Sequence, residues 1–178
     1  MEFLPLETLG PRIMICGPSN AGKSTLAAAI AGKLGSVAYH VDLFRHLPGT
    51  DWVQRPDEEF RALHDEAILD ERWVMDGNYS ALMPQRIARA TGIILLGDNR
   101  WANFGRYLRR TVFQPNRVGA LEGARDSVKW EMIRWVLLVQ PKNRERDRMR
   151  LRQTGLPMVE IASMRELRQL YVAWRLTR

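Results

Sequence analysis

The sequence predicts an α/β fold in which a parallel sheet is covered by helices on both faces. Three observations carry this. Short apolar or β-branched runs recur at residues 13–16, 37–41, 73–75 and 91–96, each bounded by turn-forming residues. Most of them lack the apolar–polar alternation of a sheet with one wet face, so they read as strands buried on both sides. Helix-favouring stretches alternate with them, which is the order of a parallel sheet. Between the first strand and the first helix lies Gly17-Pro18-Ser19-Asn20-Ala21-Gly22-Lys23-Ser24, a turn built on two glycines.

That turn fits the pattern G-x-x-x-x-G-K-[ST] and is followed by Thr25. Gly17 and Gly22 let the chain fold back so that successive backbone N–H groups point inward at phosphate oxygens. Lys23 adds a mobile positive charge for the β- and γ-phosphates, and the Ser24 hydroxyl can ligate Mg²⁺. Residues 23–34 are Ala-rich and stop at Gly35, so the helix they predict aims its positive dipole end at the same anion. Strand, glycine turn and helix together are the setting the motif requires. The nucleotide-binding set is therefore Gly17, Ser19, Asn20, Ala21, Gly22, Lys23, Ser24 and Thr25, with ATP and Mg²⁺ as cofactors. An N-K-x-D guanine motif is absent from the sequence, which favours ATP over GTP.

The remaining elements follow in order. The run 37–41 carries Asp42 at its end and gives way to loop chemistry at Leu47-Pro48-Gly49-Thr50. Pro56 suits the first turn of a helix whose dipole Asp57, Glu58 and Glu59 complement, with Phe60, Leu63, Ala67 and Ile68 on its apolar face. Trp73-Val74-Met75 is a third strand, closed by Asp76-Gly77-Asn78-Tyr79, and a short helix fits 82–90. The fourth strand ends in Gly97-Asp98. Beyond it, Trp101, Phe104 and Leu108 are spaced for one helical face while Arg106, Arg109 and Arg110 occupy another. Residues 114–123 read as a loop, and 127–139 as a helix that Pro141 breaks. Arg recurs at every second position from Arg144 to Arg152, yet Met149, Leu151 and the stop signal Thr154-Gly155 favour a helix there. Residues 158–162 make a fifth strand. Ser163-Met164-Arg165-Glu166 is a capping box that opens a last helix striped by Leu167, Leu170, Tyr171 and Trp174.

In parallel sheets the ligand lies beyond the carboxyl ends of the strands. Asp42, Asp76 and Asp98 each follow a strand and so share the rim that carries the glycine turn. Asp76 is the candidate to hold Mg²⁺ opposite Ser24, with Asp98 as the alternative. Asp42 is placed to orient or deprotonate an acceptor hydroxyl. Phosphoryl transfer needs cations where charge spreads over the γ-phosphoryl oxygens, and Arg106, Arg110 and Arg117 follow the fourth strand directly. The later Arg144–152 ladder reads as a solvated face or a polyanion contact. His40, His46 and His64 read as structural or exposed, and none has zinc-ligand spacing with Cys16.

At 178 residues the chain is most simply one domain, with ordinary hydrophobic (46%) and charged (26%) content. No apolar run reaches the roughly 18 residues of a membrane span. The single Cys16 excludes an internal disulfide. Residues 1–9 hold two glutamates and no basic residue, unlike a secretory signal. These features point to the cytoplasm. The net charge of +7 is uneven: residues 100–152 hold twelve Arg and two Lys against five acids, a net of +9, which leaves −2 for the rest. Arg grips phosphate bidentately, so the segment is either a phosphate clamp or a nucleic-acid surface.

With these residues in view, the chain resembles the adenylate-kinase-like P-loop kinases, and within them a bacterial group labelled DNA topology modulation proteins. The residues that carry the likeness are Gly17 to Thr25, Tyr39-His40-Val41-Asp42, Trp52-Val53 with Arg55-Pro56, Asp76-Gly77-Asn78-Tyr79-Ser80 and the Arg-rich stretch from Arg106 to Arg117. The resemblance implies a P-loop NTPase three-layer sandwich with a five-stranded parallel sheet. It also implies an acceptor-binding segment at about 42–65, with Asp42, Arg55, Asn78 and Tyr79 as substrate residues, and an Arg-rich lid at about 100–125. Adenylate kinases have Asp-Gly-Phe-Pro-Arg where this chain has Asp76-Gly77-Asn78-Tyr79-Ser80; the missing Arg disfavours AMP as the acceptor. The expected activity is ATP- and Mg²⁺-dependent phosphoryl transfer to a small-molecule acceptor, a nucleotide or a hydroxylated metabolite. The alternative is a nucleic-acid-associated NTPase or a nucleotide-switched regulator, with Trp101, Trp130 and Trp135 as stacking residues.

Overall fold

The computed structural model describes residues 3–50, 52–97 and 140–177. Five strands form one parallel sheet: β1 Arg12–Cys16, β2 Val37–His40, β3 Trp73–Asp76, β4 Gly92–Leu96 and β5 Met158–Ile161, in spatial order β2-β3-β1-β4-β5. The helices among the described residues are α1 Lys23–Leu34, α2 Val41–Arg45, α3 Asp57–Ala67, α4 Met83–Arg89, α5 Gln140–Arg152 and α6 Met164–Ala173. A 3-10 turn, Leu6–Leu9, precedes β1.

Alternate residues of the strands supply two separate cores. Ile13, Ile15, Val74, Ile94, Leu96, Val159 and Ile161 face α1, α6 and the 3-10 turn, whose Leu26, Ile30, Leu167, Leu170 and Leu9 close that side. Met14, Cys16, Trp73, Met75, Ile93 and Leu95 face the other way, toward Phe60 and Ala67 of α3, Met83 of α4 and Leu151 of α5. The three-layer α/β sandwich with a five-stranded parallel sheet is thus present. Burying one such aliphatic side chain contributes about 1.5–3 kcal/mol, so a sheet with two filled faces is a rigid base for a site at its edge.

Helix α1 spans the residues its Ala-rich sequence predicts and ends on Gly35 in the left-handed conformation. Several other expectations need correction. β2 stops at His40, and Asp42 lies in the first turn of α2 rather than at a strand end. Val41 is fully buried, and its anchoring turns the chain into that helix. Asp76 is the last residue of β3, paired in register, not a turn residue after it. Leu63 is only half-buried, whereas His64 beside it is fully buried. Pro141 sits in the first turn of α5, where the missing N–H has no intrahelical partner to lose; the helix expected before it lies outside the described residues.

The cationic ladder is helical, as expected. Arg148 and Arg152 reach from it to Glu160 on β5, with Nη2–Oε2 at 2.6 Å and Nε–Oε1 at 2.7 Å. Ser163 caps α6 by accepting from Glu166 N at 3.2 Å, while the Glu166 carboxylate reaches back to Ala162 N at 2.8 Å. No helix among the described residues is long and apolar enough to cross a membrane.

Candidate active site

The glycine turn leaves β1 at the carboxyl edge and enters α1. Gly17 has φ +146°, and a Cβ placed on it would lie 2.5 Å from the Leu96 carbonyl oxygen. Only glycine lets the chain pass this close to the end of β4. Gly22, the N-cap of α1, is left-handed at φ 87°, and Asn20 also has positive φ at 63°.

The start of α1 is built against the rules of helix stability. Its N-cap supplies no side-chain hydrogen bond, its first turn holds no acid, and its first residue is Lys23. A cation at a helix N-terminus opposes the dipole. The first intrahelical bond of its opening turn runs from Leu26 N to Gly22 O at 3.0 Å, so the helix itself supplies no acceptor for the N–H groups of Lys23, Ser24 and Thr25. By contrast, α3 opens with Asp57, Glu58 and Glu59, and α6 carries a Ser cap. The Lys23 ammonium is folded back over the turn, donating to the Pro18 carbonyl at 3.0 Å. An anion seated in the turn would satisfy the open amides and the lysine together.

Asp76 lies beside this helix start. β3 pairs with β1 and β2 so that Asp76 stands opposite Ile15 and opposite His40. Registered residues of parallel strands face the same way, which turns both His40 and Asp76 toward the α1 layer. The Ser24 hydroxyl donates to Asp76 Oδ2 at 2.6 Å, and His40 Nδ1 lies 2.8 Å from Asp76 Oδ1. One hydroxyl and one carboxylate, only 4% of Asp76 being exposed, form an all-oxygen pair of the kind a hard cation takes. Among the described residues no three His, Cys, Asp or Glu side chains converge as a metal cage.

The segment after β3 is fastened to the turn. Asn78 accepts from Gly17 N and donates to Gly17 O, both at 3.0 Å. Arg86 of α4, fully buried, donates to the carbonyls of Gly77 at 2.6 Å, of Asn78, and of Tyr79 at 3.3 Å. Burial pushes its guanidinium pKa down, opposed by the charges of nearby groups including Asp76. One buried cation thus gathers three consecutive carbonyls and fixes the segment that carries Asn78.

On the outer side of the rim, Tyr79 donates to Asp42 Oδ1 at 2.7 Å. Burial, then the Asp42 charge, raises the Tyr79 phenol pKa, so it stays a donor. The Tyr79 ring meets Phe60 at 5.2 Å, and Arg45 lies over the Phe60 face at 5.2 Å. Arg55 donates to Phe44 O at 3.1 Å and pairs with Glu59 at 3.4 Å.

The structure therefore brings together Gly17, Lys23, Ser24, Asp76 and Asn78, and separately Asp42 with Tyr79. The side chains of Asn78 and Arg55 are both engaged by neighbouring protein groups. Asp98, Arg106, Arg109, Arg110 and Arg117, the lid segment, the helices expected at 101–108 and 127–139, and Trp101, Trp130 and Trp135 lie outside the described residues. Two side chains at the site escaped the sequence reading. His40 was legible only through strand register, since both it and Asp76 end adjacent strands. Arg86 looks like one more surface arginine on a short helix until its three carbonyl partners are seen.

No protein-family model matches this chain, and no curated protein matches it. Among solved structures, the chain is similar to the crystal structure of a gluconokinase from Sinorhizobium meliloti 1021, with 16% sequence identity, a TM-score of 0.45, and coverage of 80% of this chain and 98% of that one.

Proposed function

We propose that this protein is a P-loop kinase that transfers the γ-phosphoryl of ATP, with Mg²⁺, to a small-molecule acceptor, either a nucleotide or a hydroxylated metabolite. The observation that carries this reading is the unguarded start of α1, where the cap is a glycine without a side chain, the first helical residue is a lysine and no acid stands in the first turn. Such a terminus weakens the helix unless an anion completes it.

On this reading the chemistry divides among the residues of the rim and the segment after β4. The Lys23, Ser24 and Thr25 amides bind the phosphate oxygens, and the Lys23 ammonium moves from the Pro18 carbonyl onto the β- and γ-phosphates. Ser24 and Asp76 would hold a magnesium ion, which would supply positive charge to the phosphate oxygens. Asn78, bonded to both polar groups of Gly17, keeps the turn in place. Asp42 meets the acceptor hydroxyl, with Tyr79 donating to one of its oxygens and leaving the other free to accept. Arg106, Arg110 and Arg117 stabilise the transferring phosphoryl.

The nucleic-acid reading has less support, because Arg148 and Arg152 of the cationic ladder are engaged by Glu160. The test is ADP release from ATP and Mg²⁺ across a panel of nucleosides, nucleotides, sugars and polyols. At least one acceptor should raise release well above background, and Lys23→Ala should abolish that increment. Equal turnover in the Lys23→Ala variant would exclude this site.

A further inference from the structure

We propose that His40 is a positioning residue of this site: its imidazole Nδ1–H fixes the rotation of the Asp76 carboxylate, so that the oxygen facing Ser24 is the one offered to the cation. The inference rests on the metal–nucleotide reading above and adds to it a residue that the sequence motif does not contain.

The Asp76 carboxylate has two oxygens in contact with other side chains. Each has a different partner from a different element: Ser24 at the start of α1 donates to Oδ2, and His40 at the end of β2 meets Oδ1 at 2.8 Å. An ionised carboxylate only accepts hydrogen bonds, so Nδ1 carries the proton in this contact. The distance is that of a charge-assisted bond.

The two donors are not equivalent. The Ser24 hydroxyl rotates about its own bond, and its oxygen is itself offered to the metal. His40 is a rigid ring at the end of a paired strand, with 12% of its side chain exposed, and the register with Asp76 fixes its place. Among the described residues, His40 is the one basic side chain within ion-pair distance of Asp76. Without it, Oδ1 would be a buried acceptor lacking its partner, and the carboxylate could turn to seek another. Outer partners that orient a metal-binding carboxylate typically account for about 10–100-fold in metal affinity.

The test compares wild type with His40→Phe, which keeps an aromatic ring but no donor, and His40→Asn, whose side-chain amide donates from nearly the position of Nδ1. Binding of a fluorescent ATP analogue is titrated with Mg²⁺ and then repeated with the metal chelated. His40→Phe should raise the Mg²⁺ midpoint by about 10–100-fold, and His40→Asn should restore most of it. Metal-free binding should be the same in all three proteins, because the turn amides and Lys23 make those contacts. An unchanged midpoint in His40→Phe overturns the proposal, as does a His40→Asn variant no better than His40→Phe. A wild type that binds the analogue at no Mg²⁺ concentration instead brings down the functional reading, and this inference falls with it. Nitrogen-15 spectra of the wild-type histidines give a check that needs no variant. A proton on His40 Nδ1 is expected, and a bare Nδ1 contradicts the assignment.

Discussion

Asp76 shows how much one side chain depends on its setting. It is buried at the end of β3, yet each of its oxygens has a polar partner, and among the described residues no arginine or lysine pairs with it. Gly17 is the other residue whose chemistry permits no substitute. With φ at +146° and the Leu96 carbonyl 2.5 Å from where a Cβ would sit, Gly17→Ala should destabilise the fold by about 2–4 kcal/mol. Urea denaturation measures this, and a loss under about 0.5 kcal/mol would mean that β4 yields easily. His64 makes a different residue-scale point. Fully buried, it has its pKa lowered by burial first, so the fold favours the neutral ring. It therefore contributes stability that is complete above the unfolded pKa near 6.5 and is lost as pH falls through the folded value.

At the scale of elements, α1 and α6 are a controlled pair. α6 has its serine cap and an acid in its first turn; α1 has neither. If the start of α1 is left open for an anion, then adding an acid there should help the helix and harm the site. Thr25 is exposed in that first turn, so Thr25→Asp should raise the stability of the nucleotide-free protein by about 0.3–1 kcal/mol while weakening ATP binding. Thermal unfolding and nucleotide titration of the same sample read the two effects. Tighter ATP binding in the variant would contradict the argument.

α5 is tied to the edge strand by Arg148 and Arg152 on Glu160. The Arg152 hydrogen bond first, with Arg148 adding to it against the effect of burial, holds the Glu160 carboxyl below its usual 4.5. The folded pKa is depressed, so the contribution is complete above the unfolded value and lost as pH falls through the folded one. Wild type and Glu160→Gln should therefore differ in melting temperature at pH 7, and the gap should begin to close as the pH falls below 4.5 and vanish below the folded pKa. A gap that persists in acid would assign the difference to packing instead.

Among the described residues the fold is a parallel sheet with two filled faces, and the glycine turn, Asp76 and Asn78 gather at its carboxyl rim. Much of that was legible in the sequence. β1, β3 and β4 are buried on both faces, so they read as near-continuous apolar runs, and glycines mark both ends of α1. β2 was harder to delimit because it is an edge strand with residues only half-buried. The local pattern there does not say where strand gives way to helix, and Asp42 was misplaced as a result. His40 and Arg86 were unreadable for a deeper reason. Their roles are set by contacts 36 residues away across a strand pair and by a buried turn of carbonyls, neither of which leaves a periodic trace. The glycine turn was readable because its shape is set by consecutive residues, with Gly17 and Gly22 at the positive φ that the turn needs.

If the amides at the start of α1 and Lys23 hold a triphosphate tail, calorimetric titration of the protein with ATP, ADP and AMP in Mg²⁺ should give saturable binding of ATP and ADP and far weaker binding of AMP. Lys23→Ala should lose ATP binding with the fold intact. Equal affinity of a folded Lys23→Ala variant for ATP, or no ATP binding by the wild type, would contradict it.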